Sequence, residues 1–196
     1  MFKNQSYLSY KENIDFVKSC SNWKDLNNLS KKIYQKPLIF SKYSKRLNTV
    51  ENTMKEILCD DSWMGHCANY QLHSGGKRFR ALLALISADL LGVDKNTANY
   101  AAVCSEFIHN ASLIHDDLQD KDLLRRGLPT IWNRFGDHTA INLGDYFIAG
   151  SFEALAKING NPSHKCKAIE NLSYTIQQTV KGQSLEILAR ANFNLK

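Results

Sequence analysis

The sequence has no apolar segment long enough to span a bilayer and no apolar core near its N-terminus of the kind that a secretory signal requires. The longest apolar run, residues 81–93, contains Asp89 and is shorter than the roughly 20 residues that a membrane-spanning helix needs. The opening residues, MFKNQSYLSYKENIDF, contain no continuous apolar stretch. These absences predict a protein without a transmembrane segment that is located in the cytoplasm.

Paired cysteines are missing as well. The five cysteines form no CxxC pair and no spacing typical of a metal site. An odd number without such pairs argues against a disulfide framework and against a zinc module. We therefore expect reduced thiols at all five positions, which are Cys20, Cys59, Cys67, Cys104 and Cys166.

The sequence also lacks the motifs of common nucleic-acid-binding modules. It carries a formal net charge of +6, but no RNP-like, zinc-finger or helix-turn-helix pattern accompanies that charge. The positive net charge then favours an anionic surface or a phosphorylated small molecule as the binding partner. We expect no nucleic-acid partner.

Proline is scarce, with three in the chain, and no strand-turn-strand alternation recurs. Apolar residues recur instead at intervals of three and four, which is typical of helices that bury one face. In residues 95–124 the recurring positions are Tyr100, Val103, Phe107, Ala111, Ile114 and Leu118. The pattern predicts an all-α bundle, with helices at 47–58, 68–73, 81–91, 95–124, 140–157 and 165–191.

The chain is long enough for one domain with a substantial core. It has 196 residues, 43% of them hydrophobic, which suffices for a single folded unit. The first part is polar and rich in Lys, Asn and Ser. We therefore divide the chain into a polar N-terminal arm, residues 1–40, and a helical domain, residues 41–196.

Four aspartates crowd the end of the long predicted helix, in the segment SLIHDDLQDKDLLRRGLPT. At 3.6 residues per turn, Asp116 and Asp120 lie one turn apart on one face, with Asp117 beside them and His109 two turns earlier. Converging carboxylates repel each other unless a cation lies between them. Oxygen ligands favour a hard cation, and without an EF-hand glycine pattern Mg²⁺ is a better match than Ca²⁺.

Basic residues cluster in two segments around this helix. Lys77, Arg78 and Arg80 precede it, and Arg125 and Arg126 follow it. Guanidinium and ammonium groups bind diphosphate oxygens, and magnesium held by few carboxylates takes phosphates as further ligands. The alternative is a solvated helix end in which the Asp and Arg side chains pair only with each other.

These residues lie in four ordered motifs that resemble the trans-isoprenyl diphosphate synthases, also called polyprenyl synthetases. HSGGKRFR resembles that family's GGKRxR segment, and EFIHNASLIHDDLQDKDLLRRGLPT resembles its first aspartate-rich region. NLGDYFIAGSFEAL resembles the GD helix, and VKGQSLEI resembles the GQ segment. The resemblance covers roughly residues 47–188. It implies that residues 41–196 are the N-terminal two-thirds of an isoprenyl synthase-like helix bundle around a central cavity.

The resemblance also implies a reaction and roles for individual residues. The reaction is head-to-tail condensation of isopentenyl diphosphate with an allylic diphosphate, with Mg²⁺ as cofactor and a homodimer or a partner synthase chain as the assembly. The metal motif would be Asp116, Asp117 and Asp120, with Arg125 on the allylic diphosphate and Gln183 near the reacting centre. The diphosphate of isopentenyl diphosphate would be held by Lys77, Arg80, His109 and Arg126. His109 could instead be a core histidine.

The residues before the aspartate cluster predict the length of the product. In this family, bulky aromatic residues at these positions close the pocket and stop chain growth early. Here the positions hold Ala111 and Ser112, and neither side chain is large. The resemblance therefore implies a C20 or longer polyprenyl diphosphate.

The sequence departs from the family pattern at three places. Ala81 stands where proline is frequent, and Glu186 stands where the GQ segment usually carries aspartate. The sequence contains neither the Lys-Thr segment nor the second aspartate-rich motif, which is expected if it is C-terminally truncated. Two hypotheses follow: a piece of a prenyltransferase, or a non-catalytic binding or regulatory subunit of a complete synthase. A terpene cyclase is disfavoured because it needs no GGKRFR segment.

Overall fold

The computed structural model describes the backbone of residues 38–193 and the side chains of residues 40–190. Almost all of the predicted arm, residues 1–40, lies outside the described residues. The chain divides into two units between Ser44 and Lys45; of the first unit, the structure describes residues 38–44, which are helical. The description that follows concerns the second unit.

Residues 38–193 form seven α-helices and one short antiparallel hairpin. The prediction of an all-α protein is confirmed. In chain order the elements are α1 (Leu38–Leu58), α2 (Trp63–His73), α3 (Phe79–Leu90), α4 (Lys95–Asp120), β1 (Leu124–Arg125), β2 (Leu128–Pro129), α5 (Ile131–Phe135), α6 (Asp137–Ala156) and α7 (Pro162–Phe193).

Helix α4 is the central element of the fold, and its start is set by a local cap. The carboxylate of Asp94 accepts hydrogen bonds from the backbone N–H groups of Asn96 and Thr97, both at 3.1 Å. An N-cap of this kind satisfies donors that have no partner within the helix. The helix then runs for 26 residues and packs against both α3 and α6.

The predicted continuation of this helix to residue 124 is wrong, because α4 ends at Asp120. Lys121 adopts a left-handed conformation with φ 56°, and such a residue commonly ends a helix. The next carbonyls then bond away from the helix. The Asp122 carbonyl accepts from Thr130 Oγ1 at 2.7 Å and from Trp132 Nε1 at 2.8 Å. These long-range bonds direct the chain into the hairpin.

The core forms where α4 meets α6. The predicted apolar face of α4 is buried in its middle, including Val103, Phe107 and Ile114. Phe107 packs edge-on against Phe147 of α6, with ring centroids 5.7 Å apart. Each large apolar side chain that is buried contributes about 1.5–3 kcal/mol relative to exposure. This contact fixes the orientation of α4 and therefore of the polar residues that follow Ile114.

A glycine in α6 permits close approach to the polar end of α4. A Cβ atom built on Gly144 would lie 2.0 Å from His115 Nε2, so any other residue would displace the His115 ring. Gly144 belongs to the NLGDYF segment that resembles the family's GD helix. Its position explains why a small residue is needed there.

The last helix, α7, is long and largely exposed. It contains 32 residues, and its exposed apolar side chains include Tyr174, Val180, Leu185 and Leu188. Among the helices that the structure describes, none combines the length and apolar character that crossing a membrane would require.

Candidate functional site

A basic cavity of about 590 Å³ lies between the segment that precedes α3 and the middle of α4. Four of its lining side chains are cationic and one is a carboxylate. The charged and titratable members are Lys77, Arg78, Arg80, Glu106, His109 and Arg126. All four residues that the resemblance assigned to the diphosphate of isopentenyl diphosphate line this cavity. The structure thus brings them together from three separate parts of the chain.

The hairpin after α4 delivers Arg126 to the cavity. Arg126 and Gly127 form a two-residue turn between β1 and β2, with φ values of 54° and 80°. Positive φ at both positions is typical of a type I′ hairpin turn. Tyr70 of α2 anchors the second strand by donating its hydroxyl to the Pro129 carbonyl at 2.8 Å. The turn therefore holds Arg126 over the basic segment.

Gly76 makes room for the Arg126 guanidinium. A Cβ atom built on Gly76 would lie 2.8 Å from Arg126 Nη1, and the glycine itself has φ +151°. A side chain at this position would push the guanidinium away in a conformation that other residues rarely adopt. The second glycine of the SGGKRFR segment is therefore needed for close packing between two parts of the cavity wall.

Arg78 has a structural role in this wall. Its side chain is buried, donates Nε to Glu51 at 3.0 Å, and donates Nη2 to the Leu72 carbonyl at 3.1 Å. Its Nη1 lies 4.0 Å from Glu106. With these partners Arg78 holds the basic segment against α1 and α2 (contacts to residues 51 and 72), while Lys77 and Arg80 are exposed.

The electrostatics of the cavity favour an anion. Burial lowers the pKa of the Arg126 guanidinium, and the nearby charges of Arg78 and Arg125 lower it further. For His109, burial and then the charges of Arg80, Arg126, Arg125 and Arg78 lower the pKa to about 4. Crowded positive charges repel each other until an anion enters. At neutral pH, His109 is therefore an uncharged member of a strongly cationic site.

This environment of His109 predicts a loss of stability in mild acid. The unfolded histidine titrates near 6.5 and the folded one near 4, so the unfolded chain takes up the extra proton first as the pH falls. The stabilisation is complete above pH 6.5 and is lost toward pH 4. After allowance for solvent screening, we expect the free energy of unfolding to fall by about 1 kcal/mol over this pH range. Urea unfolding at pH 7 and at pH 4.5 gives the decrease in the free energy of unfolding on acidification. This decrease should be smaller in His109→Gln than in the native chain. An identical decrease in both proteins would contradict the prediction.

The aspartates at the end of α4 have different surroundings. Asp117 is buried, and both of its oxygens accept hydrogen bonds from Arg125: Nε at 2.8 and 2.9 Å and Nη2 at 2.6 Å. This bidentate pair is the Asp–Arg pairing that the sequence left open as an alternative. The pair raises the pKa of Arg125. Asp117 therefore holds Arg125 and the base of the hairpin, and its predicted role as a metal ligand stays a prediction.

Asp120 also has an arginine partner. Arg190 of α7 donates Nη1 to Asp120 at 2.7 Å and Nη2 to Glu186 on its own helix. Nearby, Gln183 donates Nε2 to Gln119 at 3.2 Å. These contacts bring the GQ segment alongside the acidic end of α4, and the predicted place of Gln183 near the reacting centre stays a prediction. Asp120, Glu186 and Arg190 are all exposed, so an incoming cation or ligand can compete with the pairs.

Asp116, together with Asp120 once Arg190 is displaced from it, can supply oxygen ligands to a magnesium ion that takes its other ligands from water and phosphate. Within residues 38–193, no three His, Cys, Asp or Glu side chains are grouped as a complete metal site. Burial and then the charge of Asp120 raise the pKa of Asp116, as expected for two carboxylates one helical turn apart. Two such oxygen donors match the way Mg²⁺ binds with substrate phosphates. The residues that would hold it are Asp116 and Asp120.

The two predicted chain-length residues differ in accessibility. Ala111 is buried in the helical core, whereas Ser112 is half-buried and donates its hydroxyl to the His109 carbonyl at 2.9 Å. Both lie on α4 between the basic cavity and the aspartates. At 1.5 Å per residue, the seven residues from His109 to Asp116 separate the two sites by about 10 Å along the helix.

Three functional contacts were not predicted from the sequence. These are Glu106 in the cavity wall, Tyr70 beneath the hairpin, and Arg190 on Asp120. Glu106 is three residues before His109, so its place on the cavity-facing side of the helix could have been found from helical spacing. The other two partners come from distant helices, and no local pattern marks them.

The fold and the site define an all-α protein with a cationic cavity and an acidic helix end on the same helix, suited to ligands that carry phosphate groups. Residues 61–196 match the polyprenyl synthetase family, and the chain belongs to that family. The chain is 42% identical over 150 residues to a geranylgeranyl diphosphate synthase of Saccharolobus solfataricus, across 74% of this chain and 45% of that protein.

Two further similarities extend this result. A protein of Bacillus subtilis named heptaprenyl diphosphate synthase component 2 is 33% identical over 156 residues, across 79% of this chain and 43% of that protein. The structure of a geranylgeranyl pyrophosphate synthetase from Geoglobus acetivorans matches with a TM-score of 0.67 at 34% identity, across 71% of this chain and 46% of the other. The predicted isoprenyl synthase-like bundle is confirmed. The chain spans about half the length of the relatives it matches.

Proposed function

We propose that this chain takes part in head-to-tail prenyl transfer between isopentenyl diphosphate and an allylic diphosphate. The observation that carries the proposal is that one helix, α4, borders the basic cavity with His109 and presents Asp116 about 10 Å and Asp120 about 16 Å further along. Two diphosphates can then lie along the same helix, one held by cations and the other by carboxylates with Mg²⁺.

The basic cavity would hold isopentenyl diphosphate. Lys77 and Arg80 are exposed at its rim, and Arg126 faces Gly76. Among the residues that the structure describes, no carboxylate lies within ion-pair distance of these three side chains, so their charges are available to the oxygens of a diphosphate. His109 is neutral when the cavity is empty and can accept a proton as the bound anion offsets the surrounding arginines.

Ionisation of the allylic diphosphate would occur at the acidic end of α4. The carbon–oxygen bond breaks, the diphosphate leaves with the electron pair, the double bond of isopentenyl diphosphate attacks the allylic carbon, and a proton is lost. Bound Mg²⁺ would stabilise the charge that develops on the leaving group. Arg125 uses Nε and Nη2 on Asp117, and within the described residues its Nη1 has no acceptor, so it can contact the same diphosphate. Gln183 would lie close to the reacting carbons.

We propose a product of C20 or longer, because no bulky side chain stands at Ala111 or Ser112. Ser112→Phe places an aromatic ring at a half-buried position of α4 and should shorten the main product by at least one isoprene unit. Chromatography of the dephosphorylated products measures this. Ser112→Ala is the matched control: it removes the same hydroxyl without adding volume and should leave the product unchanged. An unaltered product from Ser112→Phe would refute the assignment.

The direct test is an assay with labelled isopentenyl diphosphate and an allylic primer, with and without Mg²⁺. Magnesium-dependent incorporation by the chain would support prenyl transfer. The other candidate is a non-catalytic subunit of a complete synthase. Two observations favour it. Asp117 and Asp120 are paired with arginines, and the Bacillus relative is named as one component of a synthase. Incorporation that requires an added synthase chain and survives Asp116→Asn would establish this second function.

We also propose that the chain works in the cytoplasm and associates with a second copy or with a synthase chain. The exposed apolar side chains along α7 support an association. Sedimentation at increasing concentration tests it: a constant monomer mass with no added partner would exclude the homodimer.

A further inference from the structure

Glu106 is a buried carboxylate in the wall of a cavity that is otherwise cationic. It lies on α4 three residues before His109, and 2% of its surface is exposed. Its Oε1 accepts the backbone N–H of Ala81 at 3.0 Å, and its Oε2 lies 4.0 Å from Nη1 of Arg78. An acid at this place weakens the attraction of the cavity for an anion, so its presence calls for a compensating role.

The hydrogen bond to Ala81 ties two walls of the cavity together. Ala81 is the third residue of α3, and the first backbone bond of that helix runs from Leu82 N–H to the Arg78 carbonyl. The Ala81 N–H therefore has no partner within its own helix. Glu106 supplies one from α4, so the segment with Lys77 and Arg80 is attached to the helix that carries His109.

This hydrogen bond depends on one of the departures from the family pattern. Proline is frequent in the family at the position of Ala81, and proline has no N–H to donate. Arg78, which precedes α3, has φ 47°, a conformation that is costly for a residue with a side chain. The backbone here needs support from outside, and Glu106 supports it at the Ala81 N–H, while its second oxygen faces the side chain of Arg78.

We propose that Glu106 is a positioning residue of the basic cavity: through the Ala81 N–H and Arg78 it fixes the Lys77–Arg80 segment relative to His109. This inference rests on the proposed function in one respect: it assumes that the cavity binds a diphosphate. It assigns Glu106 no contact with the ligand. The negative charge of Glu106 opposes anion binding, while its hydrogen bond favours binding by holding the cationic side chains in register.

Two substitutions separate the hydrogen bond from the charge. Glu106→Gln and Glu106→Leu remove the same negative charge, but only the glutamine retains an oxygen that can accept from Ala81. We expect inorganic diphosphate to bind Glu106→Gln at least as tightly as the native chain. We expect it to bind Glu106→Leu about tenfold more weakly than Glu106→Gln, the factor that loss of one ordering hydrogen bond gives. Titration calorimetry of the full chain with inorganic diphosphate measures both.

A second pair tests the same bond from its other end. Ala81→Pro removes the N–H at a first-turn position that tolerates proline, and Ala81→Gly retains it. Diphosphate should bind Ala81→Pro about fivefold more weakly than Ala81→Gly, a little less than the loss of one hydrogen bond gives. This pair decides the matter if Glu106→Leu does not fold.

The outcomes distinguish the inference from the proposed function. Equal affinities within each pair, with only the unfolding temperature lowered, would overturn the positioning role and leave a purely structural one. Tighter binding by Glu106→Leu than by Glu106→Gln would overturn it as well, because losing the acceptor for the Ala81 N–H would then favour binding instead of weakening it. If the native chain binds no diphosphate, the cavity is not the proposed anion site and the inference fails with it.

Discussion

Replacing Asp116 with asparagine should lower the rate of prenyl transfer by about a thousandfold, the upper range for removing one group that stabilises transition-state charge. Asparagine has the shape of aspartate but no charge, so the fold should be retained. Asp116 is the aspartate of this motif that the structure does not pair with an arginine, among the residues it describes. In the proposed magnesium site, removing it leaves Asp120, which Arg190 holds, as the other of the two carboxylates assigned to the ion.

Three measurements bear on this prediction. The rate of incorporation of labelled isopentenyl diphosphate at saturating Mg²⁺ should fall, while the affinity of the basic cavity for inorganic diphosphate without metal should not change. Asp122→Asn is the matched control, since that exposed carboxylate lies beyond the end of α4 and the hydrogen bonds from Thr130 and Trp132 go to its backbone carbonyl. Equal rates for Asp116→Asn and Asp122→Asn would contradict the assignment of Asp116.

Arg125→Met should lower the free energy of unfolding by about 3 kcal/mol, because it leaves the buried Asp117 carboxylate without its counter-charge. Asp117 has 2% of its side chain exposed and receives three hydrogen bonds from this one guanidinium. Methionine fills a similar volume but cannot donate a hydrogen bond. Urea unfolding at pH 7 gives the change in free energy directly.

Two further variants isolate the cause. Lys121→Met breaks the ion pair with Asp137, in which both side chains are more than half exposed, and should cost less than about 1 kcal/mol. The double variant Asp117→Asn, Arg125→Met removes the buried charge as well and should recover most of the lost stability. If Arg125→Met lowers the free energy of unfolding no more than Lys121→Met does, the pair is not a structural anchor. Water would then hydrate the Asp117 carboxylate once its arginine is removed.

Much of the helical frame could be predicted from local spacing. The stripe from Val103 to Ile114 is buried as the periodicity indicates, because a helix repeats every 3.6 residues whatever it packs against. The basic segment and the aspartate cluster were also found from the sequence, since their residues are neighbours along the chain. Their convergence with Arg126 could only be expected from the family resemblance.

The exceptions arise where a local pattern and a distant partner compete. The helix is predicted to continue to residue 124, yet α4 ends at Asp120, where Lys121 is left-handed and Thr130 and Trp132 bond the carbonyl of Asp122. Asp116 and Asp117 are adjacent and chemically identical, yet one remains available for a cation and the other holds Arg125. Neither difference can be calculated from spacing on a single helix.

The sequence by itself determined that this protein is helical, which helix faces are apolar, and which family it resembles, because these properties depend on residues close together in the chain. Only the tertiary structure decided how the charges pair. Arg125 binds Asp117, Arg190 binds Asp120, and Glu106 binds the start of α3. The reason is physical: a charge interacts with whichever partner folding brings within a few ångströms, and these partners come from helices and loops whose relative positions are set by packing of the core.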